Sequence, residues 1–137
     1  MASQQPLCPC GSLRPRAACC EPIIAGSERA ADAQALMRAR YTAFATGNEA
    51  FLLASWHPTT RPRAIEFDPR QRWLGLKILR HEAGTDADRN AVVEFVARFK
   101  IAGSGYRLHE VSRFERGNDG WLYIDGIRGA TDSSLRG

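Results

Sequence analysis

Four cysteines near the start of the chain are the residues whose type and spacing point most directly to chemistry. Cys8 and Cys10 are one residue apart, and the adjacent pair Cys19 and Cys20 follows after eight residues. Thiolate pairs at this spacing can each supply one edge of a tetrahedron around Zn²⁺, with the sulfur atoms ~2.3 Å from the metal. Four thiolates fill that tetrahedron and leave no position for a reacting water. The pattern therefore predicts one structural zinc ion.

The alternative for the same residues is a set of free or redox-active thiols. No apolar stretch approaches the ~18 residues of a membrane-spanning helix, and residues 1–25 lack the apolar run of a secretory signal. We therefore expect a cytoplasmic protein with no membrane contact. That compartment is reducing, which favours thiolate metal ligands over disulfides.

Three polar residues form a second, weaker group of candidates for chemistry. His57 or His109 could act as a general base, and Asp125 could orient the imidazole. Each also has a plain structural interpretation: His57 as a helix cap, His109 as a surface residue and Asp125 as a turn former. The residues that we expect around a pocket are Tyr41, Trp56, His57, Arg61, Trp73, Ser112, Tyr123 and Asp125.

Composition and charge narrow the class of protein. Hydrophobic residues make up 44% and charged residues 25%, which is typical of a soluble globular domain rather than a disordered chain. The net charge of +4 comes almost entirely from scattered arginines, so direct nucleic-acid binding ranks below a solvated basic surface. The sequence contains no phosphate-loop, dinucleotide-binding or zincin motif. It therefore gives no support for nucleotide hydrolysis, classical dinucleotide redox chemistry or zincin chemistry.

The elements that must position these residues follow from hydrophobic periodicity. Residues 32–46 predict a helix with Asp32 as N-cap, one buried stripe, and Arg38 and Thr42 pointing away from it. A short helix over residues 48–55 should stop before Pro58, and a short connector containing Pro22 and Gly26 is expected before the first helix. Strand patterns cover residues 73–81, 92–101, 106–115 and 121–127, with turns at 84–90, 102–105 and 117–120. Helices followed by a curved antiparallel meander make an α+β fold.

The cysteine segment, Cys-Pro-Cys-Gly-Ser followed by Cys-Cys, resembles the SEC-C motif, a zinc knuckle also found at the C-terminus of the SecA translocation ATPase. The rest of the chain resembles the YchJ family of bacterial proteins. The matching residues are 36–44, 56–59, 73–76, 93–99, 112–114 and 121–126.

The resemblance implies a SEC-C-like knuckle over residues 1–25 and a cystatin-like, nuclear transport factor 2-like (NTF2-like) cone over residues 26–129, in which helices pack on a curved sheet. Residues 130–137 are expected to form a flexible tail. Cones of this fold often dimerise through the sheet, so a homodimer is a further expectation.

Two functional hypotheses from different classes remain open. In the first, the protein is a non-enzymatic adaptor whose knuckle, with Arg14 and Arg16, contacts a protein or ribonucleoprotein partner. In the second, the cone binds a small molecule, and the protein is a binder or an enzyme of hydrolase, isomerase or dehydratase type. An enzyme of this kind requires His57 or His109 to converge with Asp125 on a cavity.

Overall fold

A computed structural model describes residues 6–83 and 88–128 of the chain. In these ranges the protein is α+β, with its helices preceding a four-stranded antiparallel sheet of order β1-β2-β3-β4. The elements are α1 Cys20–Ala25, α2 Ala33–Thr46, α3 Glu49–Ala54, β1 Gln71–Ala83, β2 Asn90–Ile101, β3 Ser104–Gly117 and β4 Gly120–Arg128. Each strand pairs with its neighbour in sequence, which confirms the meander.

The caps of α2 are those that its sequence predicts. The Asp32 side chain accepts a hydrogen bond from the backbone N–H of Ala35 at 2.8 Å, and Gly47 ends the helix with φ of 74°. A left-handed C-terminal residue costs glycine little because it has no Cβ. The start and end of this helix are therefore determined by its local sequence, through Asp32 and Gly47.

The segment after the cysteines forms a helix where the sequence predicts a connector. Pro22 lies in the first turn of α1, where a missing backbone N–H removes no intrahelical hydrogen bond. Gly26, with φ of 87°, ends the helix. The prediction of a connector was wrong, because Pro22 is compatible with the first turn of a helix and Gly26 with its end.

Helix α3 lies within the predicted range 48–55, and the Asn48 side chain caps its start by accepting from the N–H of Phe51 at 3.0 Å. The helix ends at Ala54, four residues before Pro58, which was expected to stop it. The following residues pair with β4: Tyr123 donates its N–H to the Ser55 carbonyl at 2.9 Å and accepts from the N–H of His57 at 2.7 Å. This pairing covers the outer edge of β4.

The sheet follows the predicted alternation. On β2, Val93, Phe95 and Ala97 are buried on the inner face, as expected. The β2–β3 turn holds Ala102 at φ of 52° and Gly103 at φ of 88°, the left-handed pair that a two-residue hairpin turn requires. Residues 84–87, in the predicted β1–β2 turn, and the predicted tail 130–137 lie outside the described residues.

Helix α2 is buried on two sides rather than along one stripe. Leu36, Met37 and Tyr41 are buried as predicted, but Thr42 is 0% exposed and Arg40 only 2%. The expectation that Thr42 points away from the core was wrong, because the cysteine segment covers the side of α2 that the cone leaves open. Among the described residues, no helix combines the length and the apolar character needed to cross a membrane.

Candidate functional site

The four cysteines converge at the N-terminal end of the fold. Their Sγ atoms all lie within 4.8 Å of one another. Those of Cys10 and Cys19 are 3.6 Å apart, and those of Cys19 and Cys20 are 3.9 Å apart. Sulfur atoms on a zinc tetrahedron are separated by ~3.8 Å when each is ~2.3 Å from the metal. The spacing thus fits a shared metal ion, and it is far longer than a disulfide bond.

Polar groups around the sulfur atoms suit thiolate ligands. The Ser12 hydroxyl lies 3.1 Å from the Cys19 sulfur, and Nη2 of Arg14 donates to the same atom at 3.6 Å. On the other side, the hydroxyl of Thr42 lies 3.6 Å from the Cys8 sulfur. Such outer hydrogen bonds orient metal ligands and offset their negative charge. The cluster therefore has both the ligands and the surroundings of a tetrathiolate site.

Hydrogen bonds and burial within the cluster make the pKa values of the thiols unequal. A hydrogen bond from Cys20 is the main cause that lowers the pKa of Cys10 to about 4, while the same bond raises the pKa of Cys20. Burial raises the pKa of Cys19. A divalent metal would stabilise the thiolate form at every position at once.

The cluster is closed to solvent. The four cysteines are at most 7% exposed, so a bound ion would have no open position for water or substrate. The donor set and burial fit a structural metal site. Zinc as the ion that occupies it stays a prediction.

The cysteine segment is part of the core rather than a separate appendage. Nη1 of Arg38 donates to the carbonyl of Cys10 at 2.8 Å, and a Cβ at Gly11 would lie 3.1 Å from the carbonyl oxygen of Leu76 on β1. All four cysteines belong to one hydrophobic cluster with Leu36, Val93 and other core residues. The cysteine cluster therefore covers the side of α2 that faces away from the cone.

A second candidate site is a cavity of about 330 Å³ between α2 and the inner face of the sheet. Eight of its lining residues are aromatic, out of three tryptophans, three tyrosines and six phenylalanines in the chain. The aromatic set is Tyr41, Phe44, Trp56, Phe67, Phe95, Trp73, Phe99 and Tyr123. Concave, mostly apolar cavities of this size with a few polar groups are typical of small-molecule sites.

Arg40 provides one of those polar groups. Its guanidinium contacts two adjoining rings, 4.7 Å from the Trp56 ring centre and 4.5 Å from that of Tyr123. Its Nη1 donates to the Leu52 carbonyl at 2.9 Å and to the Ser55 hydroxyl at 2.6 Å. Burial lowers the pKa of Arg40 to about 10, so the side chain stays charged at neutral pH. These hydrogen bonds and ring contacts fix the cation in place.

Glu110 provides a buried carboxylate on the cavity wall, where it is 8% exposed. Oε2 accepts from the Ser112 hydroxyl at 2.6 Å and from the Tyr123 hydroxyl at 3.2 Å. Burial, followed by the charge of Glu110, raises the pKa of Tyr123. Gly126 lies against this carboxylate, and a Cβ there would lie 2.6 Å from Cγ of Glu110. The absence of a side chain at residue 126 thus makes room for the acid.

The three proposed catalytic residues have separate partners. Nε2 of His57 lies 2.8 Å from the Glu115 carboxylate, while its Nδ1 accepts from the N–H of Thr59 at 3.2 Å. This arrangement leaves the ring proton on Nε2, where it points to Glu115. Neither His57 nor its partner lines the aromatic cavity.

The other two candidates lie on the outer face of the sheet. His109 pairs with Glu94 at 2.6 Å, and Asp125 accepts two hydrogen bonds from Arg113, each of 2.7 Å. Those bonds lower the pKa of Asp125. The structure therefore does not bring His57 or His109 together with Asp125 at the cavity, which the enzyme hypothesis required.

The remaining pocket candidates divide into two groups. Tyr41, Trp56, Trp73 and Tyr123 line the cavity. Arg61 lies instead in a separate depression, where it donates to the Trp56 carbonyl at 2.8 Å, and Ser112 lies behind Glu110.

Sequence reasoning missed Arg40 and Glu110. A charged residue between Ala39 and Tyr41 in the apolar part of a helix was the signal for Arg40, and the inner-face alternation of β3 was the signal for Glu110.

Comparison with known proteins places this architecture. Residues 32–126 match the family described as the YchJ middle NTF2-like domain. A UPF0225 protein of Methylibium petroleiphilum is 50% identical over 129 residues, which cover 91% of each chain. A UPF0225 protein of Chromobacterium violaceum is 46% identical over 123 residues, covering 88% of this chain and 91% of the relative.

Two solved structures share the fold. The solution structure of a SEC-C motif containing protein from Rhodopseudomonas palustris has a TM-score of 0.77 and 29% identity, covering 89% of this chain and 98% of that one. The crystal structure of a SEC-C motif containing protein from Psychrobacter arcticus has a TM-score of 0.71 and 25% identity, covering 87% and 80%. With its NTF2-like cone and its four-cysteine cluster, this chain belongs to the YchJ family, the UPF0225 proteins.

Proposed function

We propose that the protein binds a small molecule in the aromatic cavity of the cone, and that the four cysteines hold one structural zinc ion. The observation that carries the proposal is the cavity of about 330 Å³, lined by eight aromatic residues and held open beside buried Arg40 and Glu110. Protein interiors are otherwise close-packed, so an unfilled space of this size is unusual and favours a bound ligand. A reducing cytoplasm would keep the thiols available for zinc.

The test compares two alanine-to-leucine variants. Ala97 is 1% exposed on the cavity wall, so Ala97→Leu fills part of the space, whereas Ala50→Leu adds the same atoms at an exposed position of α3. We expect native mass spectrometry of protein from its own cells to show a retained small molecule in the wild type and in Ala50→Leu, but not in Ala97→Leu. An empty wild-type cavity, together with small-molecule thermal shifts that Ala97→Leu leaves unchanged, would contradict the proposal.

A second candidate is the adaptor role of the knuckle, and a specific observation favours it. Leu7 and Leu13 are 59% and 78% exposed on the knuckle, and Leu13 has a left-handed φ of 68°, which is unusual for its residue type. Exposed apolar side chains next to Arg14 would suit a protein or ribonucleoprotein partner.

This role predicts that Leu7→Ser with Leu13→Asn abolishes cross-linked partner capture without lowering the melting temperature, because asparagine tolerates a left-handed backbone. Leu79→Ser on β1, 43% exposed, is the control. Nuclease treatment separates a ribonucleoprotein from a protein partner, and direct nucleic-acid binding would weaken steeply with salt. Equal capture by the double variant and the wild type would exclude the role.

A further inference from the structure

The mouth of the cone cavity is formed by the segment that leads into β1. Glu66 and Phe67 are exposed, and Gln71 is half-buried, whereas Phe95, Ala97 and other residues deeper on the wall are buried. A ligand entering the cavity would therefore pass the side chains of residues 66, 67 and 71 first.

Five aromatic rings near this mouth form a connected cage. Trp73 contacts Tyr41, Phe44 and Phe99, with ring centres 5.5, 5.9 and 5.1 Å apart. Phe44 in turn lies 6.5 Å from Phe67. The planes of these pairs are inclined by 81°, 41°, 47° and 67°, so none of the pairs is stacked, and all five residues line the cavity. Cages of this kind attract alkylammonium groups through the negative faces of the rings.

The charges of the lining favour a cation as well. Although the chain as a whole has a net charge of +4, the cavity is lined by two carboxylates, Glu66 and Glu110, and one cation, Arg40. Arg40 lies against the adjoining rings of Trp56 and Tyr123, and its Nη1 already donates to the Leu52 carbonyl and the Ser55 hydroxyl, so part of its hydrogen-bonding capacity is used within the protein. Within residues 6–83 and 88–128, Glu66 has no ion-pair partner.

We propose that the cavity selects small organic cations, namely tertiary or quaternary ammonium compounds with an apolar body. The ammonium group lies in the cage of Tyr41, Phe44, Phe67, Trp73 and Phe99 with Glu66 beside it, and the apolar body extends toward Phe95 and Leu108. This inference rests on the proposed small-molecule site and names the class of its ligand.

The test uses probes of one shape and different charge. Phenyltrimethylammonium and tert-butylbenzene are isosteric, and benzoate is an anionic comparison. Calorimetry or saturation-transfer NMR with the zinc-loaded full chain should show the cation binding about tenfold more tightly than the neutral isostere, and benzoate more weakly than either.

A matched pair of variants locates the charge effect. Glu66→Gln keeps the shape of the mouth and should weaken binding of the cation about threefold while leaving tert-butylbenzene unchanged. Glu28→Gln removes an exposed carboxylate outside the cavity and should change neither affinity. Trp73→Leu should reduce the preference for the cation over the neutral isostere, because it removes the central ring of the cage.

Three results would overturn the inference: equal or tighter binding of tert-butylbenzene, no binding of the cation at millimolar concentration, or an unchanged preference in Glu66→Gln and Trp73→Leu. The first of these leaves the proposed small-molecule site intact, since a neutral ligand still occupies the cavity. Failure of the proposed site itself is tested separately, by whether native mass spectrometry shows a retained molecule in the wild type that is lost in Ala97→Leu.

Discussion

A single glycine decides how Glu110 is accommodated. Gly126 on β4 is the cross-strand neighbour of Ser112, and its missing side chain leaves the space that the Glu110 carboxylate fills. There the carboxylate accepts from Ser112 and Tyr123. The glycine thus serves a buried hydrogen-bond network, because a side chain at residue 126 would displace the acceptor and leave its donors without a partner.

We predict that Gly126→Ala lowers the free energy of unfolding by about 2 kcal/mol, because the new Cβ overlaps the Glu110 side chain. Chemical denaturation would measure the loss. Gly75→Ala is the matched control, since a Cβ at this strand glycine meets nothing within 4 Å. A double-mutant cycle with Glu110→Ala should remove most of the penalty of Gly126→Ala. An equal penalty in both backgrounds would show that the overlap is not with Glu110.

At the scale of elements, the outer face of the sheet is held by cross-strand ion pairs. Glu94 on β2 accepts from Arg80 on β1 at 2.9 Å and pairs with His109 on β3 at 2.6 Å, so one carboxylate joins three strands. The hydrogen bond with His109, followed by that from Arg80, lowers the pKa of Glu94. The position of His109, one of the candidate bases, is therefore explained by its ion pair with Glu94 across the strands.

This pairing predicts a pH dependence of stability. Because the pKa of Glu94 is lower in the folded than in the unfolded protein, its contribution is present above the ordinary glutamate pKa and is lost as pH falls through the folded value. The wild type should therefore lose more stability between about pH 6 and pH 3 than Glu94→Gln does. Urea denaturation across this range measures the difference, with Glu28→Gln as control. Parallel pH profiles for wild type and Glu94→Gln would refute the assignment.

At the scale of the whole molecule, α2 is shared between the four-cysteine cluster and the cavity. Its Arg38 and Thr42 contact the cysteine segment, while Met37, Arg40 and Tyr41 line the cavity. Gly11 of the cysteine segment also lies against β1, where a Cβ on it would be 3.1 Å from the Leu76 carbonyl oxygen. Loss of the metal should therefore be felt in the cone, although the cavity contains none of the ligands.

We predict that zinc removal by a chelator, or Cys10→Ser, lowers the melting temperature of the entire protein by about 10 °C or more, because metal binding energy is folding energy in such sites. Near-ultraviolet circular dichroism, which reports the cone aromatics, should weaken in the same transition. Ala17→Ser, an exposed change in the same segment, should behave as the wild type. A metal-free protein with an unchanged melting curve and aromatic signal would contradict this integration.

The sequence by itself predicted the grouping of the four cysteines, the caps of α2 and the alternation of the strands. These features depend on residues within about one turn or one hairpin of each other, so local spacing and backbone preference are sufficient. The same reasoning failed for α1, where Pro22 is compatible with a first turn, and for Thr42, whose burial depends on a segment 34 residues earlier in the chain.

Only the tertiary structure decided which polar residues share the cavity. Arg40 and Glu110 come from α2 and β3, and they meet Trp56 and Tyr123 because the α3–β1 segment pairs with β4 at one edge of the curved sheet. His109 on β3 and Asp125 on β4 lie instead on the outer face of the sheet. Strand register and the packing of α2 fix these positions, and both depend on contacts between residues that are distant in sequence.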